Sequence, residues 1–257
     1  MGALLFPLLR LRLDIDTWLK AHGLDQFQVA FLTVPHLPAL YMEDLVDLAW
    51  DVGLQILTLP CYIYRSGDSA QWPVSHVNTA MAGMGLGLDG VFSPRSEREE
   101  EEPWNENVFS VLFTDHALTA HVSPILFAPH FYAAGGIANF SLGLESSTPE
   151  NNETYWEEIR QALRMALYSY QRGHELGRVI VHGEHAENEI FGGILREEVK
   201  RAQWSDEDGK QPVWYRRETV FAASRGAAVF GNWCQRGLGR ADWSGCFPDL
   251  RPRAPGW

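Results

Sequence analysis

Apolar and polar positions follow two rhythms in the second half of this chain, and together they predict alternating strands and helices. Arg178-Val179-Ile180-Val181-His182-Gly183 is a short apolar run closed by glycine, and reads as a strand. From Ala186 to Gln203 the apolar residues Ile190, Phe191, Ile194, Leu195, Val199 and Ala202 recur at the 3.6-residue period of a helix. Val108 to Ile125 reads as two strands around a turn at Asp115-His116. Ser147-Thr148-Pro149-Glu150 supplies a capping residue, an early proline and an acidic first turn. The helix it opens carries a stripe of Trp156, Ile159, Leu163, Ala166 and Tyr170, and Gly173 stops it. Tyr132 to Leu142, with Gly135-Gly136, reads as a mobile loop or bend, and the proline-containing tail from Gly237 to Trp257 as irregular.

One further helix, Glu218 to Cys234, departs from the ordinary amphipathic pattern. Ala222, Ala223, Ser224, Gly226, Ala227, Ala228 and Gly231 crowd into ten positions. Small side chains remove the layer that normally separates two backbones, and a helix-interior glycine costs about 1 kcal/mol relative to alanine. The pattern therefore predicts very close packing against a sheet or a ligand, with Gly226 and Ala227 facing a backbone neighbour. A core helix with no further role has the same composition.

Charge and composition narrow the function classes. The 257 residues are long enough to bury a large core, as one domain of two lobes or as two small domains. Five glutamates fall within positions 97–102, so Ser93 to Glu106 is expected to be a solvated acidic loop. It would separate a first lobe at about 1–92 from a second at about 107–257. A net charge of -12 repels phosphate backbones and anionic membranes, which argues against nucleic-acid or membrane partners. Ten tryptophans suit core and lobe packing, or the walls of an aromatic pocket. The cysteines, at 61, 234 and 246, have no metal spacing and cannot all pair, so a reduced, cytoplasmic chain is expected. Cys61 sits in an apolar run and reads as a core thiol. The opening MGALLFPLLRLRLDID lacks the basic start and cleavage site of a signal peptide and is too short to span a membrane.

The order of elements also resembles a known family. Gln28 to Pro35 (QVAFLTVP) is similar to the strand ending in Val-Pro of the seventy-kilodalton heat-shock chaperones. Asp44 to Leu57 resembles their next helix, which ends in Gly-Leu and returns as a strand. Asn78 to Leu88 (NTAMAGMGLGL) resembles the small-residue segment after it. With the strand, glycine turn and two helices described above, the resemblance covers most of residues 28 to 232. It looks closest to the divergent actin-like ATPase-domain proteins of filamentous fungi. It implies an α/β, actin-like/heat-shock-chaperone ATPase-type fold of two lobes, with the N-terminal part reduced.

What the resemblance implies about nucleotide chemistry does not carry over. The family uses two glycine-bearing hairpin turns whose backbone amides cradle the phosphates, and a Gly-Gly turn at the adenine. Nothing before Gln28 matches the first hairpin. The second, Thr114-Asp115-His116-Ala117-Leu118-Thr119, keeps Asp115 and has no glycine. The adenine turn reads His182-Gly183-Glu184-His185, with a carboxylate where phosphate or ribose would approach. ATP hydrolysis is therefore not expected. A truncated or mis-spliced gene product and a fold kept for another purpose both account for this.

The same turns carry ionisable groups in place of glycine. A histidine beside a carboxylate can be tuned for general acid–base work near neutral pH. The expected catalytic residues are Asp115, His116, His182 and Glu184, with His121, His130, Tyr132 and His185 lining the substrate. No metal or cofactor is expected: His182, Glu184 and His185 are close in sequence, but no second cluster at firm spacing supports a metal. The expected activity is a cofactor-independent cyclisation, isomerisation or dehydration of an apolar small molecule, of the secondary-metabolism type. The alternatives are a non-enzymatic pseudo-ATPase that binds a protein, a second copy of itself or a ligand, and a residual ATP-binding, chaperone-like protein. For each histidine taken singly, a structural or surface role competes with these readings.

Overall fold

A computed structural model describes residues 2–25, 29–30, 33–34, 42–56, 74–86, 106–125, 136–149, 151–169, 176–202, 211–216 and 221–237. It is a mixed α/β structure that divides into two compact units. Residues 1–34, 38–74 and 227–257 form the smaller, and 35–37 with 75–226 the larger.

In the smaller unit, α1 (Gly2–Ala21) packs Leu5 and Leu8 against Leu45, Ala49, Val52 and Leu54, contributed by α2 (Met42–Asp51) and the turn after it. The apolar opening segment is thus the start of a 20-residue helix. No helix among the described residues is long and apolar enough to cross a membrane. Gly53 has φ +68°, a left-handed conformation that L side chains rarely adopt, so the turn after α2 favours glycine. The chain then returns as β3 (Gln55–Ile56), parallel to β1 (Val29–Ala30). A second strand pair joins β2 (Thr33–Val34) to β4 (Val74–Ser75).

The larger unit is built on a five-stranded sheet. Its strands are β5 (Glu106–Phe113), β6 (Leu118–Ile125), β7 (Gly136–Asn139), β8 (Leu176–His182) and β9 (Val213–Tyr215), in the order β7-β6-β5-β8-β9. β5 and β6 form the expected antiparallel hairpin, and β8 lies parallel to β5. Alternate residues of a strand face opposite sides. One side carries Phe109, Val111, Phe113, Leu118, Ala120, Val122, Val179 and Val181, all buried in a single apolar cluster. α4 (Asn152–Tyr168) covers it with Ile159, Leu163 and Ala166, and α5 (Glu189–Arg201) with Phe191, Ile194, Leu195 and Val199. Between these helices Arg164 meets the buried Glu198 carboxylate with both ends of its guanidinium, at 3.0 Å each, and Arg201 adds a third contact at 2.8 Å. Burying this carboxylate is tolerable because it is paired this fully.

The other side carries Ser110, Thr119, His121, Ser123 and His182, all buried, beside Val108 and Ile180. α3 (His76–Gly83) meets it through His76. α6 (Ala222–Gly237) crosses α3 at two glycines. A Cβ on Gly226 would stand 1.7 Å from the Thr79 carbonyl oxygen, and one on Gly83 would stand 1.9 Å from that of Ala222. Gly226 therefore has the close backbone neighbour expected of it, but that neighbour is the helix α3, where the sequence suggested a sheet or a ligand.

Three local expectations need correction. Gly136–Asn139 is an edge strand, not a loop: Gly136 pairs with His121 so closely that a Cβ would come within 2.5 Å of the His121 Cβ. Glycine here marks a close strand approach, where the sequence suggested mobility. The capping signal at 147–150 also lies ahead of the helix it was meant to open. Asn151 holds the cap position, and its side chain binds the preceding turn through Thr148 N at 2.7 Å and Ser146 O at 3.0 Å. α5 begins at Glu189 because Asn188 caps it, accepting from Phe191 N at 3.0 Å, and Ile190 of the expected apolar stripe is exposed. Tyr170, Gly173, the acidic segment 93–105 and the tail after Gly237 lie outside the described residues.

Candidate functional site

Because β5 and β8 are parallel neighbours, their C-terminal ends lie at the same edge of the sheet, where ligands bind in open α/β sheets. The turn after β5 forms without glycine. The Thr114 amide donates to the Ala117 carbonyl at 3.0 Å, and the Thr114 hydroxyl oxygen accepts from the Ala117 amide at 3.1 Å. This side-chain bridge does the work of a turn glycine. The segment after β7 pins the turn from its other flank. Leu144 N donates to Thr114 O and Glu145 N to Asp115 O, both at 3.0 Å. Gly143 lies so close that a Cβ would stand 2.1 Å from the Asp115 carbonyl oxygen. The Tyr155 hydroxyl, from α4, donates to Gly143 O at 3.0 Å, and burial pushes its pKa up to about 12.

The turn after β8 is fixed to its neighbour. Gly183 has φ +100°, and a Cβ there would stand 2.4 Å from the Phe113 carbonyl oxygen. His185 N donates to that oxygen at 3.2 Å. The His185 ring lies edge-on to Phe113, with centroids 5.9 Å apart. Its Nε2 faces Asp115 Oδ1 at 2.5 Å, and the Glu184 carboxylate accepts from the Asp115 amide at 3.3 Å. Asp115, Glu184 and His185 each offer one ligand atom, and these atoms all lie within 4.8 Å of one another. Asp115 and His185 are half-buried and Glu184 is exposed, so the cluster is accessible from solvent.

A second cluster lies inside the polar side of the sheet. His76 Nε2 is 3.0 Å from His182 Nδ1 and 2.9 Å from His182 Nε2, and Ser110 Oγ is 3.0 Å from His182 Nε2. The His121 ring stands edge-on to His76, with centroids 6.5 Å apart. Burial, and then the neighbouring His121, pull the His182 pKa down to about 3. Burial, then His182 and His121, hold His76 well below the usual histidine value. Near pH 7 both rings are neutral, so one donates and the other accepts. A serine beside an imidazole suggests a nucleophile, but Ser110 is 1% exposed and a ring of such low basicity is a poor proton acceptor. His76, His182 and Ser110 thus form a buried hydrogen-bonded cluster of neutral groups.

The expected site residues thus part company. Asp115 and Glu184 come together, joined by His185, which the sequence assigned to substrate binding. His116 points to the surface and pairs with Glu145 at 3.0 Å. His182 and His121 lie in the buried network. His130, Tyr132 and Cys61 fall outside the described residues. His76 was not singled out from sequence. A polar pattern was present in the sequence on the side it meets: Ser110, Thr119, His121, Ser123 and His182 share one face of the sheet, but only the fold shows that this face is covered. No protein-family model matches the chain, and a search of curated proteins returned no match.

Proposed function

We propose that this chain is a non-hydrolysing pseudo-ATPase of the actin-like fold, retained to bind a ligand or partner. The observation that carries the reading is the junction of the two turns. If they correspond to the phosphate and adenine turns of the family, a phosphate approaching them meets the Glu184 carboxylate beside the Asp115 carboxylate that the family's own hairpin carries. A phosphate cradle needs open backbone amides, and here the Asp115 amide is occupied by the Glu184 carboxylate, which stands on a turn where the family has glycine. Purified protein should show no thermal shift with ATP and magnesium. Magnesium-dependent phosphate release that is abolished by Asp115→Ala would overturn the proposal.

A second reading is favoured by the 2.5 Å contact between Asp115 and His185. A carboxylate holding an imidazole in one orientation is a device for moving a proton, which suits a cofactor-independent isomerase, cyclase or dehydratase acting on an apolar small molecule. Metabolite profiles separate the two readings. For the enzyme, a strain lacking the gene accumulates a substrate, and His185→Ala reproduces the effect. For the pseudo-ATPase, neither change alters small-molecule pools.

A further inference from the structure

We infer that Asp115, Glu184 and His185 form a binding site for a divalent transition-metal cation, with borderline Zn²⁺ the better fit and the harder Mn²⁺ the weaker one. This goes beyond the pseudo-ATPase reading and does not depend on it. The donors are one imidazole nitrogen and two carboxylates, a set that suits Zn²⁺ and Mn²⁺ better than Mg²⁺, which prefers all-oxygen shells and keeps its water.

The geometry is nearly assembled. Zn²⁺ sits about 2.0–2.2 Å from such donors, which places them roughly 3.2–3.6 Å apart around a tetrahedral ion. Here the donor atoms lie within 4.8 Å of one another, and the closest pair is 2.5 Å apart. Opening the Asp115–His185 contact by about 1 Å and swinging in the exposed Glu184 side chain completes the set. Neither change disturbs the backbone, because both turns are anchored by their own hydrogen bonds. The Asp115 turn is held by Thr114, Leu144 and Glu145, and the His185 turn by the Phe113 carbonyl. Ligands on pinned turns are already ordered before an ion arrives, which removes much of the cost of binding it.

Charge points the same way. Two carboxylates converge beside one imidazole, so negatively charged donors outnumber any positive group in the cluster. A divalent ion compensates both carboxylates at once. Three protein donors leave a fourth position open, as in metal sites that take water or an exogenous ligand.

The test is isothermal titration of the full chain, stripped with EDTA, with ZnCl₂ and separately with MnCl₂. The expected result is one ion per chain, with affinity falling about tenfold or more in Asp115→Asn and in His185→Gln. Glu184→Gln changes an exposed side chain and keeps the test valid should the other variants fail to fold; it should weaken binding by a similar factor. Glu145→Gln, beside the cluster but outside it, should bind as wild type. Zn²⁺ and Mn²⁺ affinities that are unchanged in Glu184→Gln and in the folded variants among the other two, or absence of binding to the wild-type chain, would overturn the inference. ATP plays no part in the titration, so its outcome is separate from that of the pseudo-ATPase proposal.

Discussion

His182 and His185 are three residues apart and live in opposite chemical worlds. His182 is the last residue of β8, faces the covered side of the sheet, and meets the His76 imidazole and the Ser110 hydroxyl. His185 sits one turn later, at the strand's end, against a carboxylate and within reach of solvent. The difference comes from where the strand stops. Inside the sheet, burial strips the ring of charge; beyond it, backbone hydrogen bonds place the ring beside acidic groups. Both histidines lie within two residues of Glu184 in sequence, so nearness to a carboxylate along the chain does not tell the two environments apart.

The largest test of this contrast removes the support of the buried cluster. Gly226→Leu forces a side chain into the Thr79 carbonyl, where even a Cβ has no room. The α3–α6 crossing should open at a cost of about 3 kcal/mol or more, at the upper end of over-packing effects. Urea denaturation should show unfolded or strongly destabilised protein, whereas a wild-type midpoint would mean that the helices do not touch there.

Acid should separate the clusters next. The folded-state pKa values of His76 and His182 lie below the usual 6.5. The unfolded chain therefore binds more protons than the folded one below that pH. Stability should be level above pH 6.5 and decline as pH falls from 6.5 toward 3, by up to roughly 1.4 kcal/mol per pH unit for each ring. His76→Gln should reduce that slope. Equal slopes for wild type and His76→Gln would show that the ring titrates freely in the folded state.

Side-chain removal gives the next smaller effect. His76→Ala deprives the buried His182 of one of its hydrogen-bond partners and should cost about 1–3 kcal/mol. His185→Ala, at a half-exposed hydrogen bond to Asp115, should cost about 1 kcal/mol or less. If chemical denaturation reverses this order, the assignment of structural and accessible clusters is reversed with it. The smallest effect comes from a glycine without a packing role. Gly193, inside α5, has open space where a Cβ would stand, with nothing within 4 Å, so Gly193→Ala should stabilise by about 0.5–1 kcal/mol. A loss of stability in the thermal midpoint would show a neighbour at that position.

Much of the larger unit's framework was legible in the sequence. The hairpin around Asp115-His116, the strand ending at Gly183, and the helices containing Ile159 and Leu195 follow from apolar period alone. The close approach of Gly226 followed from its small-residue surroundings. The edge strand at Gly136–Asn139 was not legible, because a glycine that permits strand contact looks like one that permits a bend. The site was half legible. Asp115 and Glu184 were placed on turns, and parallel pairing of β5 with β8 brings those turns together. What sequence could not decide was the orientation of the histidines. A one-residue change of strand face or an earlier strand end exchanges a buried ring for an exposed one, and His76 reaches the network only through a helix far away in sequence.

The most direct measurement follows the imidazole nitrogens themselves. Long-range ¹H–¹⁵N spectra of the full chain at pH 7 should show His76 and His182 in neutral patterns. Titration with Zn²⁺ should move the His185 ring resonances and leave those two patterns unchanged. Movement of His76 and His182 with His185 unaffected, or an imidazolium pattern for either buried ring, would contradict the account.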